Sequence, residues 1–350
     1  MKPKIKLIIL TLLLYGLPIY ILSIFPFAER LYPDYESFQS TIFNFLFHGT
    51  IVISPLGIIF DLILLYCVFI LLFKKNIEIE KERVYLIYSG IKKILSFVLI
   101  NKLKKETSIS KEEKVSLLFY MVKIFWAPMM VMVTMRNCQA LFNLYHKYTI
   151  WNFDRPSLLN LYFPLYMAAI IILDTTIFSF GYLFESPKLK NVVKSVEPTA
   201  LGWIFAILCY GPTLDLSIKL FGPLPPDFSN FGNINLNILT GLLSLILFSI
   251  YVWASVALGF KASNLTNRGI VSKGPYKYVR HPAYSSKNLS WWLMTIPLIK
   301  IFGICAIINM AVWSFIYFMR ALTEERHLSA DPDYIDYMKK VKYMFIPGVF

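Results

Sequence analysis

Charged residues are scarce: Asp, Glu, Lys and Arg make up 16% of the 350 residues, against roughly 25% in soluble proteins. With 57% hydrophobic residues and a mean hydropathy of +0.58, the chain cannot hide its apolar side chains in one aqueous core, and bilayer is its natural solvent. Cysteine is scarce too. Cys67, Cys138, Cys209 and Cys305 are scattered, three of them inside apolar runs. No CxxC or Cys/His ligand spacing occurs, which argues against a zinc site and a disulfide framework and reads the thiols as buried and apolar. Acidic residues number 21 against 35 basic ones, for a net charge of +14. No nucleic-acid-binding module accompanies that surplus, so it reads as orientation in a membrane, with no nucleic-acid partner.

What is abundant is apolar sequence of spanning length. Runs near 5–27, 51–73, 115–135, 161–184, 202–220 and 238–260 each approach the ~20 residues that cross the hydrocarbon core. The first follows Lys2, Lys4 and Lys6. It exceeds the ~7–15 residue core of a signal peptide, and no small-residue cleavage site follows, so it reads as a retained span. A seventh stretch, Asn288 to Met319, would measure about 48 Å as one straight helix, too long for a single crossing without strong tilt. Pro297, Lys300 and Gly303 sit in its middle, and a polar residue between two helix breakers predicts a hairpin tip. Each arm is then short for a free span, so the hairpin should pack against protein. The expected fold is all-α: a polytopic helical membrane protein of about six spans plus a C-terminal helical hairpin.

Alternating the loops across the membrane puts 28 lysines and arginines on the side that holds the N-terminus, the loops 74–114 and 185–199, the segment 261–287 and the C-terminus. The other side holds 6, and Lys123 lies within a span. The positive-inside rule then makes the former side cytosolic, in a bacterial inner membrane or the endoplasmic reticulum alike. Residues 84–100, apolar but interrupted by Lys92 and Lys93, suit either an interfacial amphipathic helix or one packed on the protein. The Pro/Gly/Asn-rich loop 222–237 marks a boundary. It separates an N-terminal transmembrane region, 1–236, of about five spans, from residues 237–350, where the chemistry concentrates.

Two segments carry that chemistry. Residues 268–284, RGIVSKGPYKYVRHPAY, gather Arg, His, Tyr and Pro into a short linker, a ligand-binding composition. It equally suits a basic linker at the membrane interface. Residues 320–327, RALTEERH, bring Arg320, Glu324 and His327 near one helix face; by itself that pattern also suits an i,i+4 ion pair between Arg320 and Glu324, worth little at a surface. The tail, with Tyr334, Tyr337 and Tyr343 and an apolar end, suits a segment folded back onto the membrane face.

Taken together, GPYxxxRHPxY, a hydrophobic hairpin, RxxxEE, Y-x-x-Y and a closing IPG resemble the isoprenylcysteine carboxyl methyltransferase superfamily over about residues 255–350. The resemblance implies a membrane enzyme that uses S-adenosyl-L-methionine. It implies cofactor contacts from Arg268, Gly269, Ile270 and Val271, from Tyr276 in the glycine turn, from His281, Pro282, Ala283 and Tyr284, and from Glu324. It associates Arg320 with the substrate carboxylate. Two departures stand out: Arg268 replaces a histidine of the isoprenylcysteine enzymes, and Ser285-Ser286-Lys287-Asn288 stands where they commonly place glycine and tryptophan. Lys287 and Asn288, at the hairpin entrance, are therefore candidate substrate contacts, and the acceptor need not be a prenylated cysteine.

The residue types suit methyl transfer. Glu324 can balance the positive groups of the cofactor, and Tyr276 or Tyr284 can offer a ring face to its sulfonium. A carboxylate acceptor is already ionised at neutral pH and needs no base, and Arg320 can orient it bidentately. The acceptor is expected to be a lipid or lipidated small substrate entering from the bilayer. A lipid amine would instead need a base, with Glu325 or His327 as candidates; Arg320 and Glu325 are thus the candidate catalytic residues. Two other classes stay open on the residues alone. Sterol-type reductases using NADPH carry a related RHPxY element. A non-enzymatic scaffold or transporter would account for the in-span charges Asp61, Lys123, Asp174 and Asp215.

Overall fold

Gly303 breaks the long C-terminal apolar stretch in two. A computed structural model of the chain, which describes residues 2–19, 55–74, 77–100, 108–147, 153–210, 218–220 and 222–349, separates into two compact units, Met1–Met129 and Met130–Phe350. Among the described residues four helices are long and apolar enough to cross a membrane: Lys111–Lys147, Arg155–Leu183, Ile234–Lys261 and Ile304–Leu328. The chain is an all-α integral membrane protein, with one two-residue strand pair as its only described sheet.

The first unit contains α1 (Pro3–Thr11), which runs on through a π turn at Leu12–Gly16, then α2 (Pro55–Phe73), α3 (Arg83–Ile100) and the start of α4 (Lys111–Lys147). Leu7, Leu10, Ile70 and Val84 form its core. Residues 84–100 are therefore held to protein at their beginning, through Val84 and the fully buried Ile87. Ser110 and Glu113 make a capping box at the start of α4, and the same carboxylate takes Ser89 and Lys93 from α3. Lys123 sits over the rings of Phe119 and Tyr15. The end of the first predicted span, 20–27, and Asp215 lie outside the described residues.

The second unit contains the rest of α4, then α5 (Arg155–Leu183), β1 (Ser195–Val196), α6 (Ala200–Ile207), α7 (Ile234–Leu258), β2 (Thr266–Asn267), α8 (Pro282–Phe302), α9 (Ile304–Leu328) and α10 (Pro332–Lys340). Side-chain oxygens cap several starts: Asp154 for α5, Thr199 for α6, Asn233 for α7 and Asp331 for α10. α7 packs against α5 and α8. Small residues allow this closeness: a Cβ on Gly241 would come within 2.5 Å of the Phe163 ring, and the buried Ser244 and Ser290 hydroxyls meet at 2.7 Å between α7 and α8.

The hairpin forms where the sequence predicts it. α8 ends and α9 begins at Gly303, whose φ of 58° and ψ of −138° suit glycine. The arms are not short, however. α8 has 21 residues and α9 has 25, because each continues as helix into a motif segment that hydropathy alone leaves out, and α9 is long enough to cross by itself. Two further expectations are corrected. The stretch 202–220 is not one straight span in its described part, since α6 stops at Ile207 and a turn follows. The cysteines are not uniformly buried: Cys67 is, Cys209 is half-buried, and Cys138 and Cys305 are exposed, as apolar groups on helices of a membrane protein can be.

Because α8 and α9 run antiparallel, residues 261–287 and 320–349 meet at one end of this unit. The tail is tied down there. Arg280 and His281 donate their backbone N–H groups to the carbonyls of Tyr343 and Met344, Ser285 Oγ donates to Phe345 O at 2.8 Å, and Tyr337 Oη donates to Tyr276 O at 2.8 Å. Ile270 and Tyr276 pack on the buried cluster Tyr334, Tyr337 and Val341.

Candidate functional site

A partly open cleft lies at this end among α7, α8, α9 and the segment before β2. Tyr276, His281, Ala283, Tyr284, Lys287, Arg320 and Glu324 line it, so the structure brings seven of the sequence-predicted residues together. Tyr251, Ser255, Tyr317, Thr323 and His327 complete the wall from the helices, Asn264 from the preceding loop, and Glu197 and Tyr210 from before α7.

Arg320 is the most buried charge of the 320–327 segment, 7% exposed and one helical turn further from the end of α9 than Glu324. Its Nη2 donates to Asn264 Oδ1 at 2.5 Å and to Tyr210 Oη at 3.4 Å, and the guanidinium carbon lies 5.2 Å from the ring centres of both Tyr210 and Tyr284. All these partners are neutral. The expected alternative, an ion pair with Glu324, does not form. Glu324 is exposed and takes the Tyr284 hydroxyl at 2.8 Å. A buried cation without a carboxylate partner is costly unless an anion meets it.

Lys287 is a second cation of the cleft. Its ammonium lies 4.9 Å from the Trp291 ring centre, 5.5 Å from that of Tyr251 and 5.8 Å from that of Tyr317, a cation–π setting. Asn288 turns back on its own helix, donating to Tyr284 O at 3.0 Å, and does not line the cleft. His281 stacks on Tyr284 at 5.3 Å with the planes 8° apart. Burial, with Glu324 and Tyr337 nearby, pushes the Tyr276 phenol up, so it stays protonated.

Glu325 is placed elsewhere. Arg280 grips it through Nε and Nη2, and His281 Nε2 lies 3.2 Å from Oε1. Burial alone would lower the Arg280 pKa, but the bonds and charge of Glu325 outweigh it, and the guanidinium is held above its usual value. Glu325 is not among the lining residues, which leaves His327, 2.9 Å from Ser195 Oγ, as the candidate base facing the cleft. Pro282 is buried at the first turn of α8. The stretch Arg268–Val271 braces the site without lining it. Arg268 Nη1 donates to Asn191 O at 3.1 Å, Gly269 donates to Asn267 Oδ1 from a φ of 91°, and Ile270 sits on the tail cluster.

Glu197, Asn264, Tyr210 and Tyr251 escape a reading of motifs, because they come from four separate places in the chain. The one local sign is Thr199 ahead of an apolar run, a helix-start signal that locates α6 but says nothing of Glu197 beside it. Of the in-span charges, Asp174 accepts from Tyr251 Oη at 2.7 Å; Asp61 and Lys123 belong to the first unit.

Residues 238–330 match the model of the isoprenylcysteine carboxyl methyltransferase (ICMT) family. The match runs from α7 to the end of α9 and includes both motif segments, so the superfamily resemblance seen in those motifs is upheld. Together with the apolar helices it supports a membrane methyltransferase. No curated protein and no solved structure matches the chain.

Proposed function

We propose that this protein is an S-adenosylmethionine-dependent methyltransferase that methylates a carboxylate of a lipid or lipidated substrate, working on the cytosolic side of its membrane. The observation that carries the acceptor class is Arg320: a buried guanidinium on the cleft wall whose partners are neutral, one turn from Glu324. An anionic acceptor would supply the missing counter-charge.

The donor set suits the cofactor. Glu324 has the Tyr284 hydroxyl as its partner among the described residues, leaving its charge for the amino or sulfonium group, and the rings of Tyr276 and Tyr284 border the same space. Two residues of the cleft wall, Glu197 and Asn264, carry buried polar atoms, Oε2 and Nδ2, that have no partner among the described residues. When bound, S-adenosylmethionine supplies a methyl group on a sulfonium leaving group, open to in-line displacement. Arg320 orients the acceptor oxygen, and Asn264 and Tyr210 hold Arg320. The aromatic wall of Tyr251, Tyr284 and Tyr317 keeps water from the acceptor and removes its hydration. No side chain has to move a proton, since a carboxylate is ionised at neutral pH. A lipid amine is the second reading, favoured by His327 on the cleft wall.

The test is incubation of the purified protein with methyl-labelled S-adenosylmethionine and a membrane lipid extract. A labelled lipid that loses its label as volatile methanol in mild alkali is the expected product. Label that resists alkali would shift the assignment to the amine. Absence of labelling, together with no binding of S-adenosylhomocysteine, would overturn the methyltransferase reading.

A further inference from the structure

Glu197 lies outside the family-matched residues, yet it borders the same cleft and is 1% exposed. Its backbone N–H donates to Leu265 O at 2.8 Å, continuing the β1–β2 pairing of Ser195 with Asn267 and of Val196 with Thr266. Its carbonyl takes the Trp203 indole N–H at 2.8 Å. The side chain fills the space left by Gly202 on α6, where a Cβ would come within 2.4 Å of Glu197 Cγ. Both its backbone and its side chain are thus fixed.

The two carboxylate oxygens differ. Oε1 accepts from the Thr199 backbone N–H at 3.0 Å, from the Thr199 hydroxyl, and from Arg326 Nη2 at 2.8 Å. Oε2 is buried and has no partner among the described residues. Across the same cleft wall Asn264 Nδ2 is also buried and unpartnered. The Asn264 amide orientation is set by Arg320, which can only donate and so takes Oδ1. Two residues that line one cleft therefore carry, between them, one acceptor and one donor without a partner among the described residues, and buried polar atoms of this kind call for partners.

Charge selects the class of partner for Glu197. Arg326 already balances its carboxylate, so a second cation is not called for. Neutral O–H donors match the remaining oxygen. Glu324, with a hydroxyl and, among the described residues, no ion-paired cation beside it, is the carboxylate left for a positive group. We infer that Glu197 accepts a hydrogen bond from the ribose hydroxyls of the methyl donor, which makes the 185–199 segment part of the donor site although it precedes the matched region. This rests on the methyl-donor reading of the cleft.

Calorimetric titration of the full-length protein in detergent tests it, with S-adenosylhomocysteine and its 2′,3′-dideoxy analogue as probes. Wild type should bind the analogue about 10- to 100-fold more weakly, the size of a hydrogen bond to a charged group. Glu197→Gln, which keeps the shape, should bind S-adenosylhomocysteine similarly weakly and should no longer distinguish the two probes. If Glu197→Gln binds like wild type, or still discriminates as wild type does, the inference is overturned. Should that variant not fold, equal affinity of wild type for the two probes overturns it by itself. No binding of S-adenosylhomocysteine to wild type would instead remove the methyl-donor reading beneath it.

Discussion

Arg280 and Glu325 form a forked ion pair, with Nε 2.5 Å from Oε1 and Nη2 3.2 Å from Oε2. It joins the linker before α8 to the end of α9, so the two motif segments are tied to each other directly. The same guanidinium donates to the carbonyls of Val341 and Lys342 at 3.0 and 2.6 Å, fastening the tail as well. Only 12% and 15% of the two side chains remain exposed, so the pair is stronger than a surface one. Glu325→Gln should lower stability by about 2–3 kcal/mol, seen as a reduced Tm in detergent and faster proteolysis within 341–349. A variant of full stability that has lost turnover would instead make Glu325 a reacting group.

Arg320 should matter through its fork as well as its charge. Arg320→Lys keeps the charge but cannot reproduce the paired donors. Turnover should fall about 10- to 100-fold, with binding of S-adenosylhomocysteine unchanged. For a carboxylate acceptor the wild-type rate should be flat between pH 6.5 and 8.5, well above the usual carboxylate range of about 4. A rate that rises with pH, together with an active lysine variant, would favour an amine acceptor that must first lose its proton.

Gly303 should be the least replaceable residue of the hairpin tip. Beyond its own chain neighbours, nothing lies within 4 Å of where its Cβ would stand, so any cost of Gly303→Ala is conformational. Its φ of 58° with ψ of −138° belongs to a region that other residues enter at about 1–3 kcal/mol. Gly303→Ala should lower stability by that amount, seen as a reduced Tm, while leaving donor affinity intact, because the tip is at the far end of α8 and α9 from the cleft. Equal stability of the two proteins would mean that the turn is set by packing instead.

Asp331 gives a dependence on pH. Burial works to raise its pKa, but Asn267 Nδ2 at 2.8 Å, Lys194 at 3.2 Å and the Asp333 N–H outweigh burial and hold it below the usual value. A depressed carboxylate contributes stability above its unfolded pKa of about 3.9 and loses it as pH falls through the lower folded value. Asp331→Asn keeps the α10 cap and removes only the charge. It should cost roughly 1–2 kcal/mol at pH 7, and the gap to wild type should close below about pH 4. A gap that stays constant down to pH 3 would assign the effect to the cap alone.

The sequence by itself determined the membrane class, the hairpin tip and most of the cleft wall contributed by residues 276–324. These are local properties: apolar run length sets spanning, Gly303 allows a backbone state closed to other residues, and Tyr284, Lys287, Arg320 and Glu324 recur at helical spacing, so they share the inner faces of α8 and α9. The tertiary structure alone decided which charges meet. Adjacent on one helix, Glu324 and Glu325 point about 100° apart, so one reaches the cleft and the other reaches Arg280. Arg320 takes Asn264 and Tyr210 in place of its i+4 neighbour, because burial puts those neutral partners within reach and leaves Glu324 at the rim. Glu197 is more than 120 residues from Arg326 in the chain; it enters the site through a two-residue strand pairing and a glycine that makes room for it, contacts that no periodicity in the sequence encodes.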